Sequence, residues 1–298
     1  MNSSLITRSP LSGPQALGLL FAVLWSSAWI AGKIGLEFTG PLTLLEIRFS
    51  AAALVMLLIV LLTAAPWPRR WADYGHLAVA GLLINGLTMA SLYTGLSDGV
   101  SAGVSALIAG LTPLLTALVA GPVLGERLGA GRWFGLAIGF LGVAMVVMNK
   151  ISTASGSWEG YAVTFVALAA FVVGTLYQKR FCSAMDLRTG NLIQFAVAGV
   201  ALFLPAMWLE GLRVEWSQAL VISSAWLALV NSIAAISLLY FLLRRGEASR
   251  VATLFYLTPP ITAALSFIVL HESLGAVALT GFALTAAGVY LGSGRGYR

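Results

Sequence analysis

"GLTPLLTALVAGPVLGERLGA" (Gly110–Ala130) and "YLTPPITAALSFIVLHESLGA" (Tyr256–Ala276) agree without a gap at 11 of 21 positions, with Thr112 matching Thr258, Pro113 matching Pro259 and Glu126 matching Glu272. The offset of 146 residues is almost half of the 298-residue chain. It holds well beyond these stretches, pairing Lys33 with Lys179, Phe49 with Phe195, Asn85 with Asn231, Gly135 with Gly281 and Gly142 with Gly288. The chain is therefore a repeat of two whole halves, with a boundary expected between residues 1–150 and 151–298.

Composition says what medium the halves fold in. With 59% hydrophobic residues, 9% charged residues and a mean hydropathy of +0.93, there is too little polar surface to cover a water-soluble globule. Apolar runs of about 20 residues suit helices that cross hydrocarbon, and the short alternating segments of a membrane barrel are missing. The fold class expected is an all-α integral membrane protein. Reading between charged, Gly and Pro clusters gives ten spans: 14–34, 41–63, 74–95, 99–121, 130–149, 158–179, 189–209, 217–243, 249–270 and 275–292. The first apolar run, Ala16–Gly32, is too long for a signal-peptide core and is expected to remain as the first span.

Basic residues fix the orientation expected for these spans. With the N-terminus in the cytoplasm, 13 Lys and Arg residues fall inside, against Lys33, Lys150 and Arg213 outside, and Arg48 lies within a span. The positive-inside rule then puts both termini of a multi-pass inner-membrane protein in the cytoplasm. The same scatter of one to three basic residues between apolar runs argues against a nucleic-acid partner. Five spans per half is an odd number, so the second half must enter the membrane inverted. Ten transmembrane helices in two inverted five-helix repeats are the architecture of secondary transporters, whose site lies at the midplane between halves.

The stretches Leu111–Val147 and Leu257–Gly292, with their shared Pro to Glu-x-Leu-Gly-Ala pattern, resemble the EamA-type domains of the drug/metabolite transporter superfamily. The opening "LLFAVLWSSAWIAGKIGLEFTGPLTLLEIRFSAAAL" is similar to that of the amino-acid and metabolite exporters, among them the YddG-like aromatic amino-acid exporters. The resemblance covers essentially the whole chain and implies a ten-helix exporter with both ends inside. Its superfamily also contains nucleotide-sugar, triose-phosphate and drug carriers, so a drug or nucleotide-related carrier is the alternative reading.

Catalysis finds little support. His76 and His271 fall at span ends without a carboxylate or cysteine at metal spacing, no deep histidine is available to activate a serine, and no phosphate-binding loop is present. A lone Cys182 makes neither a disulfide nor a cluster. No cofactor is expected, and the partners are a small-molecule substrate and the lipid bilayer.

Polar and aromatic residues at membrane depth carry the remaining signal, since burying them in hydrocarbon is costly unless they face a cavity or a partner. Trp25 and Trp29 lie one turn apart in span 1, beside Ser26. Asn85 and Asn231 are repeat mates at the centres of spans 3 and 8, placed to hydrogen-bond a substrate or to tie helices together. Tyr93, Tyr177, Tyr240 and Tyr256 add aromatic walls and hydroxyls to the expected midplane site. In span 4 the hydroxyls of Ser101, Ser105, Thr112 and Thr116 fall near one face, echoed in span 9 by Ser249, Thr253 and Ser266, and serve a water-lined wall or close packing. Arg48, whose repeat mate is Gln194, is an anchor for a substrate carboxylate or a tether to backbone carbonyls. Glu46 is the one acid that enters a span, which favours uncoupled facilitated export. Lys33 and Lys179 suit helix C-termini, and Glu126 and Glu272 suit the helix N-termini that follow them. Pro113, Pro259 and Pro260 each remove a backbone donor and are expected to weaken spans 4 and 9 near their middles, as a bend used in gating or as a static kink.

Overall fold

Low charge and long apolar runs leave the backbone one economical way to satisfy its polar groups in lipid, which is to keep every hydrogen bond within a helix. The computed structural model describes residues 13–112, 114–116, 119, 130–152, 156–236, 238, 257–272 and 275–293. They form α1 (Gly13–Gly35), α2 (Pro41–Leu62), α3 (Trp71–Ser97), α4 (Ala102–Ala109), α5 (Ala130–Ser152), α6 (Trp158–Phe181), α7 (Leu187–Glu210), α8 (Gln218–Ala235), α9 (Thr258–Val269) and α10 (Ala276–Ser293). Six are long and apolar enough to cross a membrane, namely α1, α2, α3, α6, α7 and α8; the apolar helices in the α4, α5, α9 and α10 regions are shorter over their described residues. The boundaries of α1, α2, α6 and α7 fall within two residues of those read from hydropathy. Among the described residues the only β pairing is one antiparallel bridge, Thr39 to Val214.

The repeat is visible as a two-fold relation between helices. Phe49 on α2 stacks on its own repeat mate, Phe195 on α7, with ring centroids 5.9 Å apart and planes 16° off parallel. On α10 the Thr285 hydroxyl reaches the Gly139 carbonyl of α5, again its mate, at 3.5 Å. A residue can touch its own mate only where the two-fold axis passes, so these contacts mark the axis. The paired helices run antiparallel. Glu210, at the end of α7, meets the start of α2, and Thr189, near the start of α7, donates to Pro66 O just past the end of α2 (3.0 Å). The axis passes near the middles of α2 and α7, where Phe49 and Phe195 lie.

Small residues set the α5–α10 crossing. A Cβ on Gly142 would meet Gly281 O at 2.7 Å, and one on Gly288 would meet Gly135 O at 2.6 Å. Close backbone approach is what small residues give to helices in lipid, where apolar side chains gain little by leaving the tails. Exposed tryptophans stand at both ends of the bundle, Trp67 and Trp71 at one and Trp158, Trp208 and Trp216 at the other. That distribution is the aromatic belt of a membrane protein.

Two helices widen at matched positions. α3 is π-helical over Leu82–Leu87 and α8 over Trp226–Ala235, and the 146-residue offset maps the first segment inside the second. A hydroxyl serves the widened turn in each: Thr88 Oγ donates to Leu83 O (2.7 Å) and Ser232 Oγ to Leu227 O (3.0 Å), both five residues back. A third π turn, Ala206–Glu210, follows Pro205, which lacks the N–H that a regular turn needs.

The opening prolines occupy an inexpensive position. Pro259 and Pro260 lie in the first turn of α9, where a missing N–H costs least, and the described part of span 9 begins there. Pro113 lies outside the described residues. A cavity of about 210 Å³ adjoins these prolines, lined by Leu107, Gly110, Pro259, Pro260, Phe282 and Thr285 among others.

Candidate functional site at the junction of the halves

Polar side chains at the depth of the axis are spent on contacts between the two halves. From α8, Asn231 Nδ2 donates to Leu24 O of α1 (2.6 Å) and Trp226 Nε1 to Ser27 Oγ (2.8 Å). In the opposite direction, Ser26 Oγ of α1 donates to Thr258 O of α9 (3.3 Å). Arg48 of α2 donates from Nε to Ser232 Oγ of α8 (3.2 Å) and from Nη1 to the Tyr93 hydroxyl of α3 (3.1 Å). The Tyr93 ring lies over Gly32 of α1, where a Cβ would meet it at 2.9 Å, so glycine lets α3 bring the phenol to the arginine. Thus α1, α2, α3, α8 and α9 converge on one region.

Several buried polar atoms there are left without partners. Among the described residues, Asn231 Oδ1, Thr258 Oγ1, Thr262 Oγ1, Ser266 Oγ and Ser105 Oγ have no hydrogen-bond partner. Buried polar groups in native proteins are paired as a rule, and exceptions mark water, a ligand or another conformational state. The last three belong to the hydroxyl-bearing faces of α9 and α4, which pack against each other.

Of the residues expected at the site, the structure brings Trp29, Arg48, Tyr93 and Asn231 into the buried interior between α1, α2, α3 and α8. Trp25 is half-buried and leans on Phe21, with ring centroids 5.6 Å apart. Asn85 is half-buried in the α3 π turn, two turns from Tyr93 on the same helix. Tyr177 stands apart. Its hydroxyl is 2.8 Å from His76 Nδ1, and its ring packs on Phe181 near the end of α6, at the Pro66 end of the bundle. Tyr240 and Tyr256 lie outside the described residues, as does Glu126.

Three contacts were not legible as such. Glu210 takes the start of α2, accepting from Leu42 N (2.8 Å), Thr43 N (2.7 Å) and Thr43 Oγ1 (2.6 Å). Glu272 accepts from Ala102 N at the start of α4 (3.3 Å), where the sequence pointed to the start of α10. Lys33 donates to Leu96 O and Val100 O (3.0 Å each), at the end of α3 and beyond, so the carbonyls it serves belong to a neighbouring helix. The Glu210 and Glu272 contacts, together with the Thr39–Val214 bridge and Ser157 N donating to Asp98 O (3.1 Å), tie the halves at one end of the bundle, while the Lys33 contacts stay within the first half. Among the described residues no group of three or more His, Cys, Asp or Glu side chains has metal-binding geometry.

The model of the EamA-like transporter family matches the chain twice, over residues 14–148 and 158–294. The chain belongs to the EamA-like transporter family. Curated relatives align over most of both chains. A Bacillus subtilis protein, the uncharacterized transporter YvbV, is 26% identical over 93% of this chain and 90% of its own. The uncharacterized inner membrane transporter YedA of Escherichia coli is 26% identical over 91% and 87%. An Escherichia coli protein named a probable amino-acid metabolite efflux pump is 26% identical over 92% and 93%. One solved crystal structure shares the fold, with a TM-score of 0.66 at 18% identity, over 95% of this chain and 97% of that one. This EamA-like protein is thus a multi-pass membrane transporter of small molecules, built from two copies of one unit.

Proposed function

We propose that this EamA-like protein exports amino acids with aromatic or hydrophobic side chains by alternating access between its two five-helix halves, in ten spans with both termini in the cytoplasm. The carrying observation is the convergence of Arg48, Tyr93, Asn231 and Ser232 from both halves at the depth of the axis, bordered by Trp29 and Trp25. Amide and hydroxyl groups there suit the polar end of an amino acid, and tryptophan faces suit an ammonium or an aromatic side chain. The printed name of the Escherichia coli relative, a probable amino-acid metabolite efflux pump, points the same way.

Acid placement supports a facilitated mechanism. Glu46 Oε1 accepts from Ser50 Oγ (2.7 Å), and its Oε2 faces Gly199 of α7, away from the contacts of Arg48. A carboxylate shared by proton and substrate would be expected among those contacts.

The test is counterflow in proteoliposomes loaded with unlabelled phenylalanine, with a competing panel of amino acids, nucleosides and sugars outside. Uptake of labelled phenylalanine, suppressed by aromatic and branched amino acids and untouched by nucleosides, is the expected result. Uptake suppressed by nucleosides or by lipophilic drugs alone would refute the amino-acid reading.

A further inference from the structure

Among the described residues Arg48 is the only charged side chain that is buried, at 8% exposure. Its two hydrogen-bond partners, Tyr93 Oη and Ser232 Oγ, are neutral, and the single ion pair among the described residues is elsewhere, between Arg188 and Asp186. Burying an arginine at mid-depth without a counter-charge is costly, and such residues commonly mark a substrate or ion pathway.

The second half shows what the fold itself requires at this position. Its mate, Gln194, is also buried, and it donates from Nε2 to Gln178 Oε1 at 3.1 Å. Gln178 is in turn the mate of Gly32, the residue under the Tyr93 ring. In the second half a neutral pair therefore stands where the first half has Arg48 and Gly32. The repeat demands a polar side chain here and no charge. What the first half adds is a guanidinium and a phenol.

Donors and acceptors around Arg48 are also unbalanced. Arg48 has five N–H donors, and two are used on Ser232 and Tyr93. Tyr93 accepts from Arg48, and its own O–H has no acceptor among the described residues although the side chain is only 2% exposed. The Ser232 hydroxyl differs, because it spends its proton on Leu227 O. The residue before Ser232 in sequence is Asn231, whose Oδ1 is a buried acceptor with no donor among the described residues. Unused donors with positive charge and an unused acceptor therefore belong to the same junction of α2, α3 and α8.

We propose that Arg48, with the Tyr93 O–H, is the binding subsite for the carboxylate of the transported solute, and that Asn231 Oδ1 takes its ammonium. A planar guanidinium matches a carboxylate in two-point geometry. A phosphate dianion would call for a second buried cation, and none is present among the described residues. Ser232 acts as a positioning residue that aims the guanidinium, and Tyr93 both holds it and offers its own O–H to the carboxylate. The proposal deepens the amino-acid reading of the same site, but the acid group it names can be tested whichever solute is carried.

The experiment compares acids with their amides. Binding of phenylalanine, 3-phenylpropionate and benzoate to the purified full-length protein is measured by thermal shift and titration, each beside its carboxamide. Wild type should prefer acids by roughly tenfold or more, the value of one charge-assisted contact, and Arg48→Gln should remove the preference. Equal binding of acids and amides, an undiminished preference in Arg48→Gln, or binding of neither class would overturn the proposal. Acid preference that depends on Arg48, without phenylalanine counterflow, would uphold the subsite and reject the amino-acid reading. Where Arg48→Gln does not fold, Tyr93→Phe and Ser232→Ala replace it. Each should narrow the preference several-fold, and an unchanged preference in both would overturn the proposal.

Discussion

Glu210 holds the start of α2 with three hydrogen bonds to its two carboxylate oxygens, across the junction of the halves. At the opposite end the α2–α7 contact is weaker, because the repeat mate of Glu210 is Ala64 and the hydrogen bond there is Thr189 Oγ1 to Pro66 O, with His76 and Tyr177 meeting beside it between α3 and α6. The described structure is therefore latched at the Glu210 end. Replacing Glu210 by glutamine keeps the shape, removes the charge and turns an NH2 toward groups that are themselves donors. Hydrogen bonds to a charged group contribute about 1.5–3 kcal/mol each, and loss of the smaller figure shifts a two-state population by roughly tenfold. The assay is the rate at which a maleimide labels a single cysteine at Ser224, on a Cys182→Ser background. Ser224 is buried on the part of α8 that packs against α1 and α2, so it reports separation at that end. Glu210→Gln should raise the labelling rate by about tenfold at unchanged folded yield, by that same shift. An unchanged rate would show that the hydrogen bonds hold α2 without controlling access.

Asn231→Ala removes both the bond to Leu24 O and the unpartnered Oδ1, and should weaken the affinity for transported amino acids by roughly tenfold in counterflow, the value of about 1.4 kcal/mol. Gly288→Ala drives a methyl into the α5 backbone at Gly135 and Gly139, and should lower stability by about 1–3 kcal/mol, read as a fall in the thermal midpoint in detergent. Glu46→Gln should leave counterflow intact, and an imposed proton gradient should not drive accumulation in wild type or variant. The Arg188 guanidinium, bonded to both oxygens of Asp186 (3.1 and 2.9 Å), holds that carboxyl below the usual carboxylate range at the N-cap of α7. Its stabilising effect is complete above the unfolded value of about 3.9 and is lost as pH falls through the lower folded value. Asp186→Ala should therefore cost about 1 kcal/mol at pH 7, and the gap from wild type should close below pH 3.9 in unfolding titrations.

Residues that repeat at the 146-residue offset were the most legible part of the molecule. Phe49 and Phe195 were paired by sequence alone, and the structure stacks them on the two-fold axis because inverted halves must meet their mates there. Asn85 and Asn231 were recognised as mates, but the π turns around them were not, since a widened turn is set by hydroxyls such as Ser232 and Thr88 reaching back five residues. Charged residues at helix ends were read as serving their own or the next helix. Lys33 and Glu272 serve neighbours instead, because the ends of several helices meet at one face and the nearest orphan carbonyl or N–H belongs to another helix. Glu210 escaped notice for the same reason, with partners 167 and 168 residues away. Tyr177 reads as a wall residue on aromatic character, and in the structure its hydroxyl meets His76 near the end of α6, a partner 101 residues away that spacing does not reveal.

Alternating access is tested most directly by distances at the two ends of the bundle, measured with spin labels in the same protein by pulsed electron resonance. One pair, at Glu37 and Glu215, spans the junction beside the Thr39–Val214 bridge, and the other, at Trp67 and Ser183, spans the loops at the Pro66 end. On adding a transported solute the two distance distributions should shift in opposite directions, and Glu210→Gln alone should lengthen the first and shorten the second. Two ends that open together, or that both stay fixed while counterflow proceeds, would contradict it.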